Sequence, residues 1–405
     1  MSDNIIQIQD GCITSSRGFQ AGATYAGINK HPPHNMDLAL LYSEAPCNAC
    51  ALFTTNRVKA APVLISRDRL PSSCIQALIV NSGVANACTG EKGMADARFM
   101  ADLAAARLNL KPECALPMST GVIGKPLPVD LIAWHLPLIS LSNEGGAAFA
   151  RAIMTTDTRP KEIAVKVKSG GGDYTISGAA KGAGMIAPNM ATTLCFITTD
   201  AAIELEALET ALRKAGNKSF NMITVDGDTS TNDTLLVMAN GLARNQVIKT
   251  GSRAMRVFQE ALDHVCIFLA RSVVSDGEGA TRLITANVAG ARSKKEARIV
   301  AKAIASSNLV KTAIHGADPN WGRIVSAAGS SGAAFEESRL SLTIGGIKIW
   351  QEGKVLDFEL SSLRSKLQQE EIVINLNLNL GKGTATAWGC DMSEEYVTIN
   401  SEYTT

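Results

Sequence analysis

One segment of the chain combines a glycine-containing loop with two hydroxyl side chains at the start of a short apolar run. It begins at Lys181 with Lys-Gly-Ala-Gly-Met-Ile-Ala-Pro-Asn-Met-Ala and leads into Thr192 and Thr193. A threonine hydroxyl is a weak nucleophile until a base removes its proton. When threonine is the first residue of a chain, its own α-amine, with a pKa of about 8, can act as that base. The segment is therefore compatible with nucleophilic catalysis by Thr192.

An internal threonine becomes the first residue of a chain only by attacking the peptide bond that precedes it. Ala191 is small, so the attack would meet little steric hindrance. From the residues alone, a glycine-rich turn that leads into a core strand explains the segment better than a nucleophile does. A phosphate-binding loop around Lys181 is disfavoured, because the order Lys-Gly-x-Gly is reversed relative to a P-loop. Strand alternation predicts that Thr193 faces the opposite side and is structural.

The elements around this loop are predicted from hydrophobic periodicity. Residues 163–176 are typical of a β-hairpin with a glycine-rich turn, and residues 193–199 of a buried strand. Leucines at helical spacing predict a helix from residue 205 that ends at Gly216. A longer helix is predicted to begin near Ser252 and to run towards Arg271.

The pattern changes to shorter strands and turns beyond about residue 285. A capping box at Ser293 predicts a helix, residues 340–347 a hairpin, and residues 372–380 a strand with one wet face. A length of 405 residues predicts two or three domains. We therefore expect a domain over residues 1–285 and a smaller one over residues 286–405. The mixture of hairpins and helices favours a layered α/β (α+β) architecture over a doubly wound sheet.

Composition indicates a folded enzyme that acts on small molecules. Apolar residues make up 46% of the chain, and the net charge is +1, with no long run of one sign. Neither nucleic acid nor a membrane surface is therefore expected as a partner. The sequence begins without a targeting pattern and has no apolar run near the roughly 20 residues that span a bilayer, so we expect a cytoplasmic protein.

No metal site is predicted from the cysteines or the acidic residues. The nine cysteines are an odd number and indicate a reducing compartment rather than a disulfide framework. Cys47 and Cys50 form a lone CxxC pair, which is interpreted as two structural thiols. Asp226, Asp228 and Asp276 lie in glycine- and threonine-rich turns without a histidine at ligand spacing.

The loop from Lys181 to Thr192 closely resembles the self-cleavage motif of the ornithine acetyltransferases, also called glutamate N-acetyltransferases, of arginine biosynthesis. In that family the precursor cuts itself between alanine and threonine, which falls on Ala191 and Thr192 here. Further blocks resemble the family in the same order along the chain. They are residues 37–40, 53–63, 81–90, 119–124, 155–157, 225–233, 276–281, 316–323 and 396–405.

Four residues depart from the family pattern: Val84, Met118, Met222 and His315. None of them falls on a position to which the resemblance gives a chemical role, so they put local packing or substrate preference in doubt. The block over residues 316–323 receives no role.

The resemblance implies specific roles for residues across the chain. Thr192 would be the nucleophile in self-cleavage and in acetyl transfer. The Thr120 hydroxyl and the Gly121 backbone N–H would bind the oxyanion of the tetrahedral intermediate. The implied substrate contacts are Thr156, Lys181, Thr192, Glu278, Asn400 and Thr405.

The implied reaction has two steps and needs no cofactor. Thr192 takes the acetyl group from N-acetylornithine and passes it to glutamate, which predicts ping-pong kinetics; acetyl-CoA is left open as a further donor. The implied fold is an αββα sandwich like that of N-terminal-nucleophile hydrolases, with different connectivity, and a smaller C-terminal α+β domain would complete the substrate site. Chains 1–191 and 192–405 would assemble as an α2β2 heterotetramer.

Two other functions stay open from the sequence. A self-cleaving aminopeptidase or amidase would use the same nucleophile but pass the acyl group to water. A non-catalytic amino-acid-binding relative would keep the fold and leave the chain uncut. Product analysis with and without glutamate separates the first of these from the transferase.

Overall fold

The computed structural model describes residues 4–29, 35–187 and 193–402. Up to residue 275, the described residues form one sheet and the helices around it. The strands are β1 (Ile5–Gln7), β2 (Phe19–Thr24), β3 (Leu38–Phe53), β4 (Ser72–Val84), β5 (Ala115–Val122), β6 (Lys161–Val167), β7 (Tyr174–Lys181), β8 (Leu194–Thr199) and β9 (Thr234–Ala239). The helices are α1 (Ala61–Arg69), α2 (Gly90–Arg107), α3 (Val129–His135), α4 (Gly146–Ala152), α5 (Leu205–Lys218) and α6 (Arg253–Ser275).

The remaining elements form a second sheet and its helices. The strands are β10 (Leu283–Ala291), β11 (Ser341–Ile344), β12 (Ile347–Gln351), β13 (Lys354–Val355), β14 (Glu371–Asn377) and β15 (Gly383–Cys390). The helices are α7 (Lys294–Ser306), α8 (Asn308–His315), α9 (Gly322–Gly329), α10 (Leu360–Leu367) and α11 (Glu394–Glu402).

The long strand β3 is shared by two layers of the first sheet. Hydrogen-bonded neighbours follow the order β1-β6-β7-β8-β9-β3-β4-β5, with β2 beside β3. The first half of β3 pairs with β2 and its second half with β9, whereas β4 pairs with β3 from Leu38 to Ala49. The register against β4 shifts between Tyr42 and Cys47. The sheet therefore turns at β3, and its two halves can face each other.

Alternating side chains show that these halves are packed face to face. Leu41 of β3 shares a buried core with Phe196 of β8, whereas Leu40 packs with Met100 of α2. On the far side of β8, Ile197 shares a core with helices α5 and α6. The order of layers is thus helix, sheet, sheet, helix, which confirms the predicted αββα sandwich.

The second sheet has the order β13-β12-β11-β14-β10-β15. Among the described strand pairs of this sheet, only β10 and β14 run parallel, and α7 packs on β10 and β15. This sheet begins at Leu283, and the division into residues 1–285 and 286–405 stays a prediction. Among the described residues, no helix combines the length and apolar character needed to cross a membrane.

Most of the predicted elements are confirmed, but Gly216 does not end its helix. Strands β6 and β7 form the predicted hairpin, and the Ser252 hydroxyl caps α6. Helix α5 continues to Lys218. A Cβ added at Gly216 would lie 2.6 Å from Leu52 Cδ1. The glycine therefore allows α5 to approach β3 closely, and its type reflects packing rather than a helix stop.

The core between the two sheet layers should contribute strongly to stability. Phe149 is fully buried there and its ring meets that of Phe196 edge-on, with centroids 5.8 Å apart. Phe149→Ala should lower the free energy of unfolding by about 3–5 kcal/mol, because it removes buried surface and leaves a cavity. Guanidinium denaturation followed by circular dichroism measures the change. Phe99→Ala, at a side chain 45% exposed on α2, is the control and should change it by less than about 0.5 kcal/mol. Equal effects of both variants would contradict the layer assignment.

Candidate active site

A cleft opens where the ends of β5 and β7 meet the loop before β9 and the turn after α6. It brings together six of the predicted site residues: Thr120, Gly121, Thr156, Lys181, Glu278 and Asn400. The predicted cleavage residues Ala191 and Thr192, and the predicted contact Thr405, lie outside the described residues. Gly184 and Thr193 precede and follow that cleavage segment along the chain, and both border the cleft.

Lys181 is the last residue of β7 and is buried. Its Nζ donates to Thr155 Oγ1 at 2.7 Å and to Thr120 Oγ1 at 3.3 Å, and lies 3.9 Å from Asp157 Oδ2. Burial lowers the pKa of Lys181 below its ordinary value, although the negative charge of Asp157 opposes this. Because Thr120 Oγ1 accepts a hydrogen bond from Lys181, its own O–H is free to donate elsewhere. The arrangement suits a hydroxyl that must donate to an oxyanion.

Gly121 follows Thr120 on β5 and requires the absence of a side chain. Its φ is 128°, and an added Cβ would lie 2.3 Å from the carbonyl carbon of Gly83 on the neighbouring strand β4. Only glycine fits this conformation and spacing. The Gly121 backbone therefore reaches the cleft beside the Thr120 hydroxyl, as expected for the predicted oxyanion pair.

Glu278 lies in the turn after α6 and is held by hydrogen bonds to the loop after β7 and to helix α11. Its N–H donates to the Ala183 carbonyl at 2.9 Å, and its Oε2 accepts from Asn400 Nδ2 of α11 at 2.7 Å. A Cβ added at Gly184 would lie 2.3 to 2.4 Å from the carboxyl atoms of Glu278. The second glycine of the Lys-Gly-x-Gly motif thus gives this carboxylate its place.

The carboxylate of Asp157 supplies a negative charge that balances the buried lysines beside the cleft. Burial alone would raise the pKa of Asp157, but the cations Lys161 and Lys181 and the Gly182 N–H hold it at about 2. The carboxylate is therefore ionised under all ordinary conditions. Neither Asp157 nor Lys161 was assigned a role from the sequence.

Three further cleft residues were missed by sequence reasoning. Asp226 accepts from Met185 N at 2.6 Å and Ile186 N at 2.8 Å, which fixes the motif loop. Burial raises the pKa of Tyr396, and the negative charge of Asp226 adds to this. Burial raises the pKa of Asp233 well above its ordinary value, and within the described residues its Oδ2 has no hydrogen-bond partner. For Asp226 and Asp233 the available signal was the acid-rich block over residues 225–233, and for Tyr396 it was the block over residues 396–405.

Thr193 borders the cleft, is 4% exposed and directly precedes β8, which begins at Leu194. Its orientation opposite to Thr192 stays a prediction, because Thr192 lies outside the described residues.

The four departures from the family pattern lie outside the cleft lining. Val84, Met118 and Met222 are buried in apolar cores, and His315 Nδ1 lies 2.8 Å from Asp391 Oδ2. In the block over residues 316–323, the Trp321 ring packs on Trp350 of β12 at 5.3 Å between centroids. This block helps to hold the second sheet and does not line the cleft.

Comparison with known proteins decides the family. A model described as the ArgJ family matches residues 20–405. The chain belongs to the ArgJ family. The arginine biosynthesis bifunctional protein ArgJ of Dehalococcoides mccartyi (strain CBDB1) is 54% identical over 405 residues, which cover 100% of both chains. The protein of the same name from Symbiobacterium thermophilum is 49% identical over 98% of this chain and 99% of its own length.

A solved structure agrees with this assignment. The crystal structure of arginine biosynthesis bifunctional protein ArgJ from Bacillus halodurans is 44% identical, with a TM-score of 0.51. The match covers 51% of this chain and 98% of the solved chain. The resemblance inferred from the ordered motifs is therefore confirmed.

The fit between Gly184 and Glu278 gives a direct test of the cleft. Gly184→Ala should displace the Glu278 carboxylate and lower acetyl transfer from N-acetylornithine to glutamate by about 100-fold, as expected for a displacement of about 1 Å. Steady-state turnover, with intact mass to check the chain, measures this. Gly170→Ala is the control, because an added Cβ there meets nothing within 4 Å. Wild-type turnover in Gly184→Ala would contradict the assigned position of Glu278.

Proposed function

We propose that this chain is a self-cleaving acyltransferase that moves the acetyl group of N2-acetylornithine to glutamate through an acetyl ester on Thr192. The main support is the Lys181–Thr120 hydrogen bond, in a cleft bordered by residues on both sides of the Thr192 segment. Membership of the ArgJ family supports the same reaction class, since its relatives carry the name of bifunctional arginine biosynthesis proteins.

Self-cleavage between Ala191 and Thr192 is the first step of the proposal. The Thr192 hydroxyl attacks the Ala191 carbonyl, and the C–N bond breaks, so that an ester forms and the Thr192 amine is freed. Water then hydrolyses the ester, which gives the Ala191 carboxylate and restores the Thr192 hydroxyl. The size of the solved Bacillus halodurans chain supports this step. The match spans about 207 of the 405 residues here and 98% of that chain, which therefore holds about 211 residues. A piece from residue 192 to 405 would hold 214 residues (405 − 191).

In acetyl transfer, the Thr192 amine removes the proton of its own hydroxyl, which attacks the acetamide carbonyl of the donor. The oxyanion accepts hydrogen bonds from the Thr120 hydroxyl and the Gly121 N–H. Lys181 donates to Thr120 Oγ1 and so directs the Thr120 proton towards the oxyanion. Ornithine leaves, and the glutamate amine attacks the ester to give N-acetylglutamate.

Recognition of an amino acid requires charges of both signs in the cleft. Lys181 and Glu278 supply them, and both are buried, where charge pairing is strong. We assign the carboxylate of the donor or acceptor amino acid to Lys181 and its ammonium group to Glu278. Thr156 and Asn400 border the same cleft and complete the proposed contacts together with Thr192 and Thr405.

The proposal includes no metal and no cofactor, because Thr192 itself carries the acyl group. Acetyl-CoA is included as a second donor that would acylate the same residue. We place the enzyme in a reducing cytoplasm, which the nine free cysteines support. The two pieces would stay together and pair as α2β2.

Intact-mass analysis of the purified protein tests the proposal. The wild type should give pieces of 191 and 214 residues (405 − 191). Addition of N-acetylornithine, or separately of acetyl-CoA, should place one acetyl group on the larger piece. Thr192→Ala should stay uncut, whereas Thr193→Ala, the neighbouring hydroxyl, should still cleave.

Each other outcome points to a different function. An uncut wild type would contradict self-cleavage and favour an amino-acid-binding protein. Cleavage with release of free acetate in the presence of glutamate, and no N-acetylglutamate, would favour a hydrolase.

A further inference from the structure

Four alternating charges form a buried chain behind the oxyanion pair. Lys161 Nζ lies 2.6 Å from Asp276 Oδ2 and 2.5 Å from Asp157 Oδ1, and Asp157 Oδ2 lies 3.9 Å from Lys181 Nζ. We call Asp276, Lys161, Asp157 and Lys181 the charge chain. Their side chains are between 0% and 10% exposed. Two cations and two anions leave the group neutral overall, as burial of four ions requires.

The charge chain connects three segments that carry predicted substrate contacts. They are the loop around Thr156, the end of β7 at Lys181 and the turn at Glu278. Asp157 Oδ1 accepts from the Gly182 N–H at 2.6 Å and its Oδ2 from the Thr155 N–H at 3.0 Å. Asp276 caps the C-terminal end of α6, two residues before Glu278, and accepts from the Thr158 N–H at 3.1 Å. Lys161 on β6 is the contact common to both carboxylates.

Lys161 also decides how strongly Asp157 attracts Lys181. Asp157 is 2.5 Å from Lys161 but 3.9 Å from Lys181, so Lys161 is its closer partner. Lys181 directs its short hydrogen bond to Thr155 and another to Thr120. Without Lys161, Asp157 would be a buried carboxylate with Lys181 as its cation, and the two would close to contact. Lys181 would then move away from Thr120.

We propose that Lys161 is a positioning residue of the acetyl-transfer site, which holds Asp157 so that Lys181 donates to Thr120 instead of pairing with Asp157. The inference rests on the proposed function, since it gives Lys181 its task. Lys161 itself does not line the cleft, and it acts only through the charge chain.

The charge of Lys161 should also govern the titration of Lys181. Burial lowers the pKa of Lys181, Asp157 raises it, Lys161 lowers it, and Glu278 and Asp233 raise it. Loss of Lys161 removes a neighbouring positive charge, so the pKa of Lys181 should rise. If transfer requires the Lys181 cation, activity falls as pH rises through this pKa. The alkaline limb of the pH profile should therefore move to higher pH in a variant without Lys161.

Three variants separate positioning from simple stability. Lys161→Met leaves the buried carboxylates of Asp157 and Asp276 with Lys181 as the one buried cation, since Arg159, 4.0 Å from Asp276 Oδ1, is 60% exposed. This variant should lower the melting temperature. The double variant Lys161→Met/Asp276→Asn restores neutrality and should recover most of the melting temperature. Lys166→Met, an exposed lysine on the same strand, is the control. We expect kcat to fall by about 10- to 100-fold in both Lys161 variants, with a smaller change in KM, because an oxyanion donor is affected.

Two measurements decide the question. The first is kcat and KM against pH for each variant. The second is a pH titration of the Lys181 side chain by NMR of the protein with 13C-labelled lysine, the signal being assigned by its absence in Lys181→Arg. Both Lys161 variants should show a Lys181 pKa above that of the wild type, and Lys166→Met should not.

Recovery of kcat together with melting temperature in the double variant would overturn the proposal, because Lys161 would then be only structural. An unchanged Lys181 titration in Lys161→Met would overturn it as well. If the wild type is not cleaved or does not take up acetyl, the proposed function fails. The NMR titration does not need turnover and still decides whether Lys161 governs Lys181.

Discussion

The buried ammonium of Lys181 is the constraint on which the arrangement of the site depends. A cation removed from water is unfavourable unless it is paired and hydrogen-bonded. Two threonine hydroxyls and Asp157 meet this need, but Asp157 then becomes a buried anion that needs a closer partner, which is Lys161. Lys161 is itself a buried cation, and it pairs in turn with Asp276, which lies two residues before Glu278. One charged group thus orders loops from several parts of the chain.

The fold places these loops together because the site lies where the two sheet layers meet at one end. Thr120 and Gly121 come from the layer of β4 and β5, whereas Lys181 and Thr193 border the layer of β7, β8 and β9. Asn232, in the loop before β9, joins the layers. Its amide donates to the Ala85 carbonyl at 2.7 Å and to the Ser119 carbonyl at 2.8 Å. The proposed catalytic groups from opposite layers therefore share a rigid frame, which oxyanion stabilisation requires.

Local patterns predicted the parts of this structure that depend on local physics. The hairpin of β6 and β7, the Ser252 cap and the alternation along β14 follow from turn chemistry and periodicity. The cleft residues were implied by the resemblance of the ordered motifs to a known family, and periodicity or turn chemistry alone did not indicate them. Lys161 and Asp276 are 115 residues apart, so no local pattern could pair them. The helix end predicted at Gly216 was wrong for a similar reason. The glycine is needed for close contact with Leu52 on β3, which no local pattern reveals.

The topology also explains how a chain cut between Ala191 and Thr192 would stay assembled. The cut would divide β1–β7 from β8–β15, yet β7 and β8 are antiparallel neighbours, paired from Ile176 opposite Thr199 to Lys181 opposite Leu194. Strand β9 pairs in the same way with β3. The core between the layers also contains residues from both pieces, among them Leu41 and Phe196. Cleavage would therefore remove one connection and leave the ladders and the buried surface intact, so the new amine would arise inside a site that is already organised.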